Sequence, residues 1–355
     1  MLKIHTNCHH ARSWLQRFQG RQPAFVCVLG FTATCLIEGI SSAGLTAKDR
    51  QITAIADAEL LALGKSARLP PLSAGVSPAY ISRAVIEQLQ LPLYLCNAGL
   101  PQPPAVPHID LGGLPAQCLT TGQALPPDCV QHLYQQGTKL GKKLAEQHPL
   151  VILSECVVGG TTTALAILTA LGYAAHGKIG SSHPICNHQQ KWRVVQQGLS
   201  KIRAISNPID LVAGVGDPMQ IVIAAMVIAV SNQAGVLLAG GTQMLAVYAL
   251  AERLAQTADM AWHRENIIIG TTRWVAEDPT AQVIALAQEF PIPFVAGQLY
   301  LGKSQYPALR VYESGFVKEG VGAGGAVIAA HLYRNWSNAE LLRAIEQTLA
   351  QARCQ

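Results

Sequence analysis

Ser154-Glu155-Cys156-Val157-Val158-Gly159-Gly160-Thr161-Thr162-Thr163 lies between two apolar runs, Leu150–Leu153 and Ala164–Leu171. The order reads strand, glycine turn, helix, the repeating unit of an α/β fold. Adjacent Gly159 and Gly160 let backbone approach an anion closely. Thr161 and Thr162 then open a helix, where free N–H groups and the dipole favour negative charge. Glu155 stands at the mouth of this turn. A carboxylate there is ill suited to binding phosphate, but well suited to chemistry on something attached to one.

Outward from this unit, short apolar runs that suit fully buried strands recur at Ala24–Leu29, Leu93–Cys96, Gly235–Ala239, Asn266–Ile269 and Ile292–Val295. Helical patterns fall between them at Ala54–Leu63, Ala79–Gln88, Cys129–Gln147, Lys191–Leu199, Pro218–Val230, Thr242–Ala255 and Thr280–Glu289. Strands alternating with helices predict an α/β fold whose mostly parallel, doubly wound sheet carries helices on both faces. Asp278-Pro279 reads as a helix start, with the Asp as cap, and Gly172 as a stop. A second strand–glycine–threonine unit runs Val236–Thr242, and its Gly240 and Gly241 either face the same crevice as the first turn or form an ordinary tight βα turn. Residues 99–128 carry seven prolines and read as a loop or lid.

The chain has 355 residues, 50% of them hydrophobic and 13% charged, enough for a large core. The net charge of +5 comes without a dense Lys/Arg run, so nucleic acid is not an implied partner, whereas anionic small molecules are compatible. Nine cysteines include no C-x-x-C pair, and Cys27, Cys96 and Cys156 sit in or beside apolar runs, which predicts a reducing, cytoplasmic location. The N-terminus lacks a signal-type apolar core, and Ile221–Val230, the longest apolar run, is too short to span a bilayer, so no membrane partner is expected.

Some motifs match only on paper. Gly297–Ser304 fits G-x-x-x-x-G-K-[ST], but Pro307 follows Lys303-Ser304 closely and the loop interior is bulky where phosphate must lie. Gly320-Val321-Gly322-Ala323-Gly324-Gly325 fits G-x-G-x-x-G, yet too little chain follows for the second strand of a dinucleotide site. His183, Cys186 and His188, like Cys8, His9 and His10, lack a matching ligand pair, so polar loop residues are the better reading and no metal is expected.

Lys318-Glu319-Gly320 repeats the logic of the first motif: an acid, glycines, then an apolar helix. Glu155 and Glu319 in one crevice would suit general base work and support of a developing cation. The alternative is that each pairs with a Lys or Arg on a surface turn.

At these residues the chain resembles the nicotinate-nucleotide:dimethylbenzimidazole phosphoribosyltransferases, and most closely a divergent, uncharacterised branch of them. The family motif E-M-G-I-G-N-T-T aligns on Glu155–Thr162, and G-E-G-(S/T)-G-A aligns on Lys318–Ala323. Lys191–Leu199, Asn207–Gly216 and Leu238–Gly241 resemble family segments in the same order, so the similarity covers about residues 150–330. Residues 1–140 resemble only the divergent branch, at Gly39–Gly44 and Ala56–Glu59. The family's Gly-Ile-Gly is here Val157-Val158-Gly159, and its Asn is Gly160.

The resemblance implies transfer of phosphoribose from nicotinate mononucleotide to an azole or purine base, with release of nicotinate. It places the phosphate at Gly159, Gly160, Thr161 and Thr162 with help from Lys191, and assigns Glu319 as general base and Glu155 as support for an oxocarbenium-like state. Gly240, Gly241, Gly320 and Gly322 would border the substrate. It further implies no cofactor, no metal, a homodimer, and a smaller helical lobe built from the chain termini. On that pattern residues 1–22 form an N-terminal helical segment, 23–315 the α/β transferase domain, and 316–355 the glycine-rich motif and final helices. The acceptor stays open among a benzimidazole, adenine, a phenol or a compound outside cobamides. Two alternatives remain: a non-catalytic relative that binds a nucleotide or cobamide precursor, and a P-loop nucleotide-binding protein using Lys303 and Ser304.

Overall fold

Strands buried on both faces must be apolar throughout, and the sequence supplies several such segments. The computed structural model describes residues 1–202 and 207–353. Its strands are β1 Leu2–Ile4, β2 Ala24–Gly30, β3 Leu93–Gly99, β4 Ile109–Asp110, β5 Leu150–Cys156, β6 Gly235–Ala239, β7 Ile267–Thr272 and β8 Phe294–Gly297. They form one sheet in the order β1-β8-β7-β6-β5-β2-β3-β4. All neighbours run parallel except β1, which pairs antiparallel with β8 through Leu2–Gly297, Lys3–Ala296 and Ile4–Val295.

Side chains along β2 alternate between two cores. Val26 and Val28 join helices Pro127–Gln147, Gly160–Ala170, Pro218–Ser231 and Thr242–Thr257 on one face. Phe25, Cys27 and Leu29 join Cys8–Phe18, Ala47–Leu63, Ala79–Gln88, Ala323–Arg334 and Asn338–Arg353 on the other. The fold is therefore the doubly wound α/β sheet expected from the strand and helix runs. Pro218–Ser231 is buried along its whole length and is started by an Asp217–Gln220 capping box with Pro218 at its first turn. Its apolar run is core, and among the described residues no helix is long and apolar enough to cross a membrane.

Several local readings change. Thr280–Glu289 contracts to the helix Val283–Ala287, and Asp278 caps no helix. Its Oδ1 instead accepts from the Thr280 N–H and hydroxyl, and its Oδ2 takes the Lys318 ammonium, a long-range pairing that local sequence does not reveal. Of residues 1–22, Cys8–Phe18 is helical, whereas Leu2–Ile4 extends the sheet. The proline-rich stretch 99–128 is no lid over the cavity described below. It supplies edge strand β4 and runs beneath the β2 side, with the Ala116 N–H donating to the Phe31 carbonyl and Leu111 to Asn97.

β5 is followed by β6 on one side, while its neighbour β2 is followed by β3 on the other. Connections that diverge from adjacent parallel strands open a crevice at their carboxyl ends. Glu155 lies there, opposite Val28 in the β2–β5 register.

Candidate active site

A cavity of about 320 Å³ fills this crevice. Its wall includes Glu155 and Glu319, both glycine turns (Gly159, Gly160 and Thr161; Gly241, Thr242 and Gln243), and the segment Leu69–Pro78. The two acids and the two strand–glycine–threonine units thus converge on one hollow.

Glu155 belongs to the strand itself, because β5 runs three residues beyond its apolar core, from Leu153 to Cys156. It is 5% exposed, and its Oε2 accepts from the Val157 N–H at 2.8 Å while its Oε1 accepts from Gln243 Nε2 at 2.7 Å. Burial pushes its pKa up to about 8, with the nearby Asp217 and Glu319 charges adding to the rise and the Val157 bond opposing it. Gly160 leaves room for Gln243 beside it: a Cβ there would stand 1.9 Å from Gln243 Oε1 and displace that side chain.

Glu319 sits in a strained loop. Val317, Lys318, Gly320, Val321 and Gly322 all have φ between +52° and +152°. Such a conformation is costly for any side chain and most so for the two valines. The strain brings four donors onto one carboxylate. Its Oε2 accepts from the Thr272 N–H (2.9 Å) and Thr271 hydroxyl (3.1 Å), and its Oε1 from the N–H groups of Gly320 (3.2 Å) and Gly324 (3.1 Å). Burial raises the Glu319 pKa, and these four bonds oppose the rise. Glu319 is tied to the end of β7 and the start of helix Ala323–Arg334, which fixes the position of its carboxyl group.

A buried ion pair holds the loop from behind. Lys318 Nζ reaches Asp278 Oδ2 and the Pro184 carbonyl, with the two side chains only 3% and 2% exposed. The pair links the Glu319 loop to the segment that follows Gly180-Ser181-Ser182, itself part of the cavity wall.

The remaining predicted residues divide. Gly159 (φ +85°) makes the turn before helix Gly160–Ala170, and Thr161 faces the cavity. Thr162 does not: it is 0% exposed, off the cavity wall, and its hydroxyl has no partner among the described residues. Successive helical residues are turned by about 100°, so consecutive threonines cannot share one face. Lys191 lies behind the wall rather than on it, donating to the Thr161 hydroxyl (2.8 Å) and the Gly180 carbonyl (2.9 Å). Burial lowers its pKa to about 7, the Lys318 charge lowering it further and Cys186 opposing. Gly241 and Gly320 border the cavity, whereas Gly240 and Gly322 shape the turns behind it. Gly322 has φ +70°, and a Cβ there would meet Ser154 Cβ at 2.5 Å.

Wall residues given no role from sequence include Ser41, Ser42 and Asp57, which lie in the two segments that resemble the divergent branch, and Leu69–Pro78, Gly180–Ser182 and Gln243. The serine pairs interlock, with Ser42 N–H donating to Ser182 Oγ and Ser42 Oγ donating to the Ser182 carbonyl. The two Ser-Ser dipeptides, at 41–42 and 181–182, were the available signal. His183 and His188 bond the Gly39 and Thr280 carbonyls, and Cys186 lies against Asp278 and Thr280. No group of three or more potential ligands that could hold a metal occurs among the described residues. Lys303-Ser304 opens no helix, and the Ser304 hydroxyl donates to Glu346.

The electrostatics give a stability signature. Glu155 has a folded pKa near 8, above its ordinary value of 4.5, so the folded state retains a proton that the unfolded chain releases. Stability is unaffected below about pH 4.5 and falls as pH rises towards 8. Glu155→Gln removes this loss, and the unpartnered Gln243 Oε1 can accept from the new amide once the Gln243 side chain turns over. Melting temperature should exceed wild type by about 5 °C at pH 8.5 and by under about 1 °C at pH 5, read by calorimetry at both pH values. An equal effect at both would contradict the buried, proton-retaining acid.

Comparison with known proteins gives the same family. A family model described as Phosphoribosyltransferase matches residues 87–264, about half of the chain. The UPF0284 protein of Cyanothece sp. (strain PCC 7425) is 60% identical over 98% of this chain and 96% of its own length. That of Gloeothece citriformis (strain PCC 7424) is 57% identical over 99% and 98%. Two solved structures from Thermus thermophilus share the fold. One, CobT, has a TM-score of 0.58 at 16% identity, covering 96% of this chain and 90% of that one. The other, a nicotinate-nucleotide-dimethylbenzimidazole phosphoribosyltransferase, has a TM-score of 0.61 at 17% identity, covering 97% and 92%. With two acids and two glycine turns around one crevice, and these relatives along its whole length, the chain belongs to the UPF0284 family, within the phosphoribosyltransferases.

Proposed function

We propose that the protein transfers phosphoribose from nicotinate mononucleotide to an azole or purine base and releases nicotinate. The observation that carries this reading is the sharing of one cavity by Glu155, Glu319 and both glycine turns. The 5′-phosphate would sit against Gly159, Gly160 and Thr161 at the start of helix Gly160–Ala170, where the dipole favours it. Lys191 would act from behind Thr161, and a dianion in front of it would draw its lowered pKa back up.

Glu319 would take the ring N–H proton of the acceptor. The nitrogen then bonds to the anomeric carbon as the bond to the pyridinium nitrogen breaks, and that electron pair leaves with nicotinate. The proton passes from Glu319 to solvent. Positive charge builds on the sugar between these events. Burial that lifts the Glu155 pKa to about 8 favours its protonated form, and the pyridinium and the sugar cation would favour its ionised form. The leaving group departs from a cation, so the chemistry asks for no metal or cofactor. The reading places the protein in cobamide lower-ligand activation, as a cytoplasmic homodimer.

The test is a panel of benzimidazole, purine and phenolic acceptors incubated with nicotinate mononucleotide, with products read by mass spectrometry. A ribotide of at least one base, with stoichiometric nicotinate, is expected. No product from any acceptor, despite binding of the mononucleotide, would favour the non-catalytic relative. Lys191→Met should raise KM for nicotinate mononucleotide by about 10- to 100-fold, as loss of a charged hydrogen-bond donor predicts, with a smaller change in kcat. An unchanged KM would remove Lys191 from the phosphate site.

A further inference from the structure

Asp57 is an acid in the cavity wall that the proposed chemistry does not use. It lies on helix Ala47–Leu63 and is 4% exposed. Its Oδ1 accepts from the Ser77 hydroxyl at 2.6 Å, and its Oδ2 from the Cys156 thiol at 3.5 Å. No Lys or Arg pairs with it among the described residues. A carboxylate offers about four acceptor positions, so two neutral donors leave capacity for a further N–H. An anion buried without a cation is costly, and a cavity-facing one is relieved by a donor arriving with a ligand.

The position of Asp57 says which ligand. Ser77 is followed by Pro78, the nearest atom to a Cβ placed on Gly320, next to Glu319. The Tyr312 hydroxyl donates to the Val76 carbonyl and braces the same wall. The segment 76–78 therefore joins Asp57 to the Glu319 loop. Leu69, Leu72, Val76 and Val275 supply apolar surface to the cavity. Apolar cavity surface beside two carboxyl groups, Glu319 and Asp57, suits a flat heteroaromatic ring that carries one donor for each.

Resting on the proposed transfer reaction, we infer that Asp57 reads the acceptor, selecting a base with a second N–H donor, such as an exocyclic amine, over one without. Adenine and unsubstituted purine differ by that amine and are the probes. Wild type should prefer adenine to purine in kcat/KM by at least about tenfold, the scale of a hydrogen bond to a charged group. Asp57→Asn should bring that ratio to within about threefold of unity, with KM for nicotinate mononucleotide changed by less than about threefold.

The alternative is that Asp57 merely clips segment 69–78 through Ser77. Ser77→Ala separates the two: the inference predicts that the adenine preference survives in it, whereas a clip predicts the same loss as in Asp57→Asn. No preference in wild type, or a preference intact in Asp57→Asn, overturns the inference. If no acceptor turns over, calorimetric binding of adenine and purine in the presence of nicotinate mononucleotide reads the same ratio. Failure of the transferase reading then leaves the Asp57 test standing. A Ser77→Ala variant alone still decides the matter if Asp57→Asn does not fold, because a preference lost there counts for the clip.

Discussion

Glu319→Gln should lower kcat for nicotinate release by about 10²- to 10⁴-fold, the range for loss of a positioned general base, while KM for nicotinate mononucleotide changes by less than about threefold. The amide has the shape of the carboxyl group but cannot take the acceptor proton. One of its ends would also face N–H donors, either Thr272 or the Gly320 and Gly324 pair, so some stability is lost. Circular dichroism and calorimetric binding of the mononucleotide should accompany the kinetics. Wild-type turnover in a folded Glu319→Gln variant would remove the assignment of Glu319 as base.

Lys318→Met should be the most destabilising of the changes considered. It leaves the Asp278 charge buried with only Thr280 and the Cys186 thiol for company, and it keeps a side chain at φ +59°. Breaking one side of a buried pair costs about 3–5 kcal/mol, against about 0–1 kcal/mol for an exposed one. The double variant Lys318→Met/Asp278→Leu should recover most of that loss, since an apolar pair can replace a buried ionic one. Denaturant unfolding of the wild type, single and double variants measures the cycle. If Lys318→Met unfolds at the wild-type midpoint, the pair does not hold the loop.

The six central strands and most long helices were legible because a strand buried on both faces must be apolar and a helix must repeat every 3.6 residues, whereas the short edge strands β1 and β4 gave no such signal. Glu155 was legible because parallel strands deliver their carboxyl ends to one edge, whereas Glu319, which follows no strand, was marked only by the repeat of acid, glycines and helix. Features decided by distant partners were not. Asp278-Pro279 carries a helix-start signal, yet its carboxylate is claimed by Lys318, 40 residues on. Thr162 shares its residue type with Thr161 but not its direction. Leu69–Pro78 has no periodicity to read, and its place in the wall is set by contacts such as Gly75 against Val311 and Val317, and Pro78 against Gly320.

Leu69–Pro78 also contains no strand or helix up to Pro78 itself, and its neighbour Asp57 comes from a helix of the opposite core from Gly160–Ala170. The surface that would meet the acceptor and the surface that would carry out the transfer thus come from separate stretches of chain. Exchange of a few irregular residues could retune substrate choice while leaving the reacting carboxylates where they are. A lineage facing a new heterocycle would need to rewrite a loop, not an enzyme.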